Sequence, residues 1–401
     1  MTTIDAPLRT GSGTFPVPTR PDDDRFVALA AEVGAVAAEH AADHDRDATF
    51  VAEAYAAMRA TGYLALAVPA ELGGLGATLR QVCYAQAELA RHDGSTALAV
   101  AMHHYLTLVQ AFRHRTGAPD AQAVLRRVAS GGVVIATSGG SDWLWPTTTA
   151  VTDEDGNLRV SGRKAFCSQA PEATVIATSA VLGEPGDGAE VLHFSVPLSA
   201  DGVHMEETWD TLGMRGTASN ELVLDDVVVP AAAVAGRRPY GELAGPLVVA
   251  ALHFAPVAAA TYFGVAAGAR DVAVTGVGAG SRGPRPLAEV PRVQRQVGLM
   301  DAKLRGAWWA LLGAVDEMGD DYTPDAGLLA MVMLAKRQVV TEAVAVVDLA
   351  MDTLGGRAYF RRSPLERALR DVRAGTFHPL TPEAALTYAG KLALGDPGRT
   401  E

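Results

Sequence analysis

Leu212-Gly-Met-Arg-Gly-Thr-Ala-Ser-Asn-Glu-Leu-Val-Leu-Asp-Asp-Val-Val-Val-Pro230 runs into a Val/Leu-rich strand over 221–229 that a proline ends. It is the last of five such runs. The others fall at 133–138, 157–161, 174–180 and 190–196, separated by turn sequences such as Asp155-Gly156-Asn157. Together they predict a small β-domain over 131–232.

On both sides the period changes to that of a helix. Phe26, Leu29, Ala30 and Val33, then Phe50, Ala54, Met58 and Leu64, recur at three- and four-residue spacing, which predicts a helical domain over 24–130. Helical periodicity returns from Gly241 to Gly390, broken by a Gly/Pro/Arg loop at 276–286, and assigns 233–401 to a helical bundle. Residues 1–23 read as a flexible polar arm. The fold class is α+β, mostly helical, in the order helix, sheet, helix.

Composition narrows the function. A chain of 401 residues that is 49% hydrophobic and 20% charged has core for two or three domains. A net charge of −12 argues against nucleic acid and an anionic membrane surface as partners. The longest apolar runs, such as Leu247–Ala260, are too short to span a bilayer and read as buried helix. Two cysteines, Cys83 and Cys167, supply neither a disulfide framework nor a metal quartet, which makes a reducing cytoplasm the expected compartment and leaves no metal site expected. The polar N-terminus carries no visible export signal. No Rossmann glycine motif, Walker loop or Gly-x-Ser-x-Gly elbow is present.

Five ordered blocks resemble the acyl-CoA dehydrogenase superfamily. They are Gly62–Gly76 with Ala87–Asp93, then Thr137-Ser-Gly-Gly-Ser-Asp142, then Gly162-Arg-Lys-Ala-Phe-Cys-Ser168, then Leu212–Pro230, and finally Leu354–Pro379 with Gly355, Gly356, Arg367, Arg370 and Asp371. The resemblance implies that family's fold: a helical N-terminal domain, a β middle domain and a C-terminal four-helix bundle. It also implies FAD, with Phe166 against the isoalloxazine, Ser168 at N5, and Thr137, Gly140 and Ser141 at the pyrimidine edge. For the pyrophosphate it points to Arg282 or Arg285, Gln294, Gly355, Gly356 and Thr381, although the family's Phe-Gly after the loop arginine is missing and Asp352 stands where a Gln is usual.

The family's catalytic carboxylate is not in its place. Alignment on Arg370-Asp371 puts Pro379 at the Glu position, and alignment on Pro256 puts Phe254 at the alternative one. Histidines gather instead: His378, His103, His104 and His253. Imidazole donates and accepts at neutral pH, and flavin monooxygenases of this fold also lack the Glu and place His and Ser near the flavin. The resemblance therefore implies a two-component monooxygenase. It would take reduced FAD from a separate reductase and O2 as co-substrate, and act through a C4a-hydroperoxide on a small, aromatic-compatible molecule. His378, His103 or His104, and Ser168 would form its polar set, with His253 adjoining. Trp143, Trp145, Phe254 and Phe377 would border the substrate. A homodimer or homotetramer is expected. Two other readings stay open: an acyl-CoA dehydrogenase with a displaced base, and a non-catalytic subunit of a heteromeric flavoenzyme.

Overall fold

The computed structural model describes residues 18, 20–282 and 284–395. The arm expected over 1–23 lies, apart from its last residues, outside that range.

Five helices form the first layer: α1 (Asp24–Asp47), α2 (Ala52–Thr61), α3 (Leu79–His92), α4 (Gly94–Arg115) and α5 (Ala121–Ala129). Thr78 and Gln81 close a reciprocal capping box at the start of α3. Asp93 is extended (φ −151°), so it ends α3, and its carboxylate caps α4 by accepting from Thr96 N. One acidic residue thus makes the corner between the two most buried helices of the domain.

The middle domain is one eight-stranded sheet. Its strands are β1 (Ile135–Thr137), β2 (Thr149–Thr152), β3 (Leu158–Cys167), β4 (Val175–Leu182), β5 (Glu190–Pro197), β6 (Val203–Glu206), β7 (Asn220–Val229) and β8 (Gly236–Pro239). The order is β6-β7-β3-β2-β4-β5-β8, with β1 pairing parallel to β4. The five expected strands are present; β2, β6 and β8 are additions. Each is four residues long, too short for alternation to stand out from loop sequence. Because β8 pairs with β5, the sheet continues past residue 232.

The last layer contains α6 (Pro246–Gly278), a two-stranded ribbon of β9 (Ser281–Arg282) and β10 (Arg285–Pro286), α7 (Pro291–Met318), α8 (Ala326–Leu354), α9 (Pro364–Asp371) and α10 (Pro382–Ala393). Proline opens α6, α7, α9 and α10, where its missing N–H would have had no partner. Helix α6 is apolar all round because it packs on α3, α4, α7 and α8. Among the described residues it is the one helix long and apolar enough to cross a membrane, and 89% of its most apolar window is buried inside the protein. It is the axis of the core.

A polar knot ties the layers together. Arg370 forks onto Asp45 of α1 (2.7 and 2.6 Å), bonds Glu366, and reaches the Leu212 carbonyl at 3.1 Å. Beside it Asp371 accepts from Met214 N at 2.5 Å. Burial pushes the Asp371 carboxyl up to about 7, and the Met214 bond pulls against that rise.

Candidate active site

Where the three layers meet, a cavity of about 370 Å³ opens. Leu98, Met102 and Tyr105 of α4 form one wall, and Phe254 of α6 adjoins them. The end of β1 contributes Thr137, the loop after it Gly140 and Trp143, and the end of β3 Phe166 and Ser168. The 209–219 segment closes one side and residues 370–379 the other.

On the sheet side the geometry fits a flavin ring. Register between β3 and β7 shifts between Lys164 and Cys167, and Phe166 there has φ +58°. The irregularity turns its ring out of the sheet, 52% exposed and edge-on to Trp209 at 6.0 Å. Gly140 makes room for it: at φ +66°, a Cβ on Gly140 would stand 2.9 Å from Phe166 Cε2. The result is an aromatic ledge beside an open cradle. From beneath, Lys164 Nζ donates to both Asp142 oxygens (3.1 and 3.2 Å) and to Ser179 O (2.6 Å). Ser138 donates to Asp142 Oδ2 at 2.5 Å. Lys164 is fully buried, and desolvation lowers its pKa against the pull of Asp142. This paired charge fixes the 138–143 loop.

Ser168 faces the cavity with a hydroxyl chain behind it. Its Oγ lies 2.8 Å from Ser219 Oγ, which lies 2.7 Å from Thr217 Oγ1.

Across the cavity His378 is half-buried on the turn after α9. Its ring stacks on Phe254 (5.7 Å, 29°) and lies against Tyr262 (5.7 Å, 60°). Desolvation first, and then the Lys336 charge, push its pKa down to about 3. At neutral pH His378 is therefore a neutral imidazole that donates through one nitrogen and accepts through the other; it is not an imidazolium acid. Lys336 of α8 holds the same turn, donating to the carbonyls of His378 (2.9 Å) and Leu380 (2.8 Å).

Several expected site residues lie elsewhere. His103 is fully buried, and both of its nitrogens are used: Nδ1 accepts from Ile135 N (3.1 Å), so Nε2 donates to Leu64 O (2.8 Å). It joins α4, β1 and the segment after α2. His104, also fully buried, bonds Tyr63 O at 3.2 Å. His253 is held by Val249 O at 2.9 Å among Phe112 and Tyr322. Burial lowers all three, to about 4, 3 and 4 respectively. None lines the cavity. On a helix 103 and 104 point roughly 100° and 200° away from 102, and it is Leu98, Met102 and Tyr105 that share the cavity-facing stripe.

Trp145, half-buried, packs edge-on against Tyr240 at 5.1 Å. The Ser141 carbonyl accepts from Leu144 N and Trp145 N and closes the loop. Thr381 caps α10 by accepting from Ala384 N, and Gln294 bonds Ala288 O at 2.9 Å. Arg285 is exposed on β10, and Gly355 (φ +60°) with Gly356 ends α8. These positions also fall outside the cavity wall. The cavity does collect Thr137, Gly140, Trp143, Phe166, Ser168, Phe254, Phe377 and His378. Sequence reasoning missed Tyr105, Trp209 and Ser219, which come from an all-round apolar helix and an irregular segment that no period marks.

Acyl-CoA dehydrogenase N-terminal, middle and C-terminal domains match residues 24–132, 136–227 and 256–383. The chain belongs to the acyl-CoA dehydrogenase family. It is 35% identical over 381 residues to L-evernosamine nitrososynthase of a Micromonospora species, covering 92% of this chain and 89% of that one. It is 32% identical to the putative acyl-CoA dehydrogenase YdbM of Bacillus subtilis, covering 88% and 93%. The solved structure of KijD3 in complex with FMN and a dTDP-linked amino keto sugar superposes with a TM-score of 0.84 at 28% identity, covering 96% and 97%. The chain is a flavin-dependent oxidoreductase similar to nitrososynthases of this family. The three-layer order read from the sequence is the family's own.

Proposed function

We propose that this acyl-CoA dehydrogenase family member is the oxygenase component of a two-component flavin monooxygenase acting on a small-molecule substrate. One observation carries the reading: among the described residues that line the cavity, none is Asp or Glu. Both family positions for the α-proton base face the same space, and they hold Phe254 and the His378-Pro379 turn. Removing an α-proton of a thioester needs a carboxylate there; a neutral imidazole with a pKa near 3 is too weak a base for it.

Bound flavin, delivered reduced, supplies the activation of dioxygen. The chain's residues supply the setting. Phe166 supports the ring face, and Ser168 hydrogen-bonds at its N5 edge. Trp143, Phe254 and Phe377 exclude water and flank the substrate. His378 orients a substrate N–H or O–H with its free nitrogen. The nitrososynthase relatives support oxygenation, and the complex of KijD3 with FMN supports a flavin in this cavity. FAD remains the proposed working flavin, with Arg282, Arg285, Gln294, Gly355, Gly356 and Thr381 toward its distal half across a subunit contact. Exposed Trp309, Tyr359 and Phe360 on the C-terminal bundle support a homodimer or homotetramer. A separate reductase is the proposed electron source, and the cytoplasm the proposed compartment.

The test loads the protein with flavin. Mixed reduced with oxygenated buffer, it should show an oxygen-dependent absorbance transient before oxidised flavin returns. Anaerobic butyryl-CoA should leave the oxidised flavin unbleached, and His378→Ala should still bind flavin but yield no oxygenated product. Bleaching by the thioester would make the protein a dehydrogenase, and a chain that binds no flavin would be a non-catalytic subunit.

A further inference from the structure

Behind Ser168 the hydroxyl chain ends on a carbonyl. Ser168 Oγ lies 2.8 Å from Ser219 Oγ, Ser219 Oγ lies 2.7 Å from Thr217 Oγ1, and Thr217 Oγ1 lies 2.9 Å from Met214 O. All three hydroxyl residues are buried, Thr217 completely. The anchor is fixed, because Met214 N is bonded to Asp371, and Met214 O also accepts from Trp209 Nε1 (3.0 Å) and Thr217 N (3.2 Å).

Each hydroxyl has one proton, so the chain has two ordered arrangements. In the first, Ser168 donates to Ser219, Ser219 to Thr217 and Thr217 to Met214 O, and Ser168 offers the cavity a lone pair. In the second, all three protons reverse, and Ser168 offers the cavity an O–H. Met214 O has three donors in the first arrangement and two in the second, so reversal leaves no buried carbonyl unpaired but gives up one hydrogen bond that the first arrangement keeps. Oxidised flavin presents an acceptor at N5; reduced flavin presents N–H.

We propose that Thr217 and Ser219 are positioning residues that let Ser168 turn its lone pair to reduced flavin, so that the site holds the reduced cofactor more tightly than the oxidised one. This rests on the flavin reading of the cavity. Thr217→Val removes the terminus. Of its two hydroxyl partners the Ser219 proton then keeps only Ser168; when it donates there, Ser168 points its own proton outward, and a flavin N–H meets a donor.

The experiment titrates FMN and FAD, each oxidised and each photoreduced without oxygen, into wild type, Thr217→Val, Thr217→Ser, Ser219→Ala and Ser168→Ala. Thr217→Val should lower the ratio of oxidised to reduced Kd about tenfold, the scale of one buried unpaired donor. Ser219→Ala should lower it as well, by removing the inner acceptor, and Thr217→Ser should restore it. In the Ser168→Ala background Thr217→Val should change nothing. Equal weakening of both redox states, or an unmoved ratio, would overturn the relay while leaving the flavin reading intact. Wild type that binds neither flavin would overturn both.

Discussion

Lys336→Met offers a sharp test of how the His378 turn is held. Lys336 is 2% exposed, and its Nζ meets two backbone carbonyls. Burial alone lowers its pKa from 10.5 to about 7. At about 1.4 kcal/mol per unit, that shift makes the buried charge worth about 5 kcal/mol of lost stability. Below pH 7 the folded and unfolded chains both carry the proton, and the loss is complete. Between about 7 and 10.5 the unfolded chain keeps the proton that the folded chain has released. Stability therefore climbs with pH through that window, by at most about 1.4 kcal/mol per unit from this group. Methionine fills the same space without titrating. Guanidinium unfolding of both proteins at pH 7.5, 8.5 and 9.5 should show the wild type gaining about 2–3 kcal/mol on the variant across the series. The fixed offset between them contains the lost carbonyl bonds; the slope does not. Parallel pH profiles would refute a desolvated lysine beneath the turn.

Two further substitutions separate site from scaffold. Gly140→Ala forces a side chain into a left-handed backbone at about 1–2 kcal/mol and pushes Phe166 off its ledge. Flavin Kd should rise about tenfold with only a small loss in Tm, as read by fluorescence titration and calorimetry. His103→Ala strands Ile135 N and Leu64 O. Denaturant unfolding should show a loss of about 3–5 kcal/mol, with the flavin affinity of the folded protein unchanged.

Regular patterns were legible in the sequence, and irregular geometry was not. The five strands and long helices follow from residue period, and the site blocks around Phe166, Ser168 and His378 follow from the family resemblance. The histidines misled because type says nothing of direction: His103, His104 and His253 sit on helices packed on all sides, so their imidazoles bond backbone carbonyls within the core. Ser219 and Trp209 belong to a segment shaped by left-handed Met214 and Ala218, which no periodicity reports. The strength of His378 as an acid was also illegible, since it depends first on burial of the ring and then on the charge of Lys336, far away in the chain.

The stacking of Phe254 on His378 has an evolutionary consequence. One position for the base, Phe254, stacks on His378, the residue just before the other position, Pro379, so a carboxylate at either would enter the same packed turn. A Glu at 254 would meet the imidazole at once, raise its pKa and be spent as half of an ion pair. A Glu at 379 would enter a turn whose carbonyls are already claimed by Lys336. A return to dehydrogenation would take at least two coordinated substitutions, with a poorly active intermediate between them. Once the aromatic pair had formed, the loss of the base became hard to reverse.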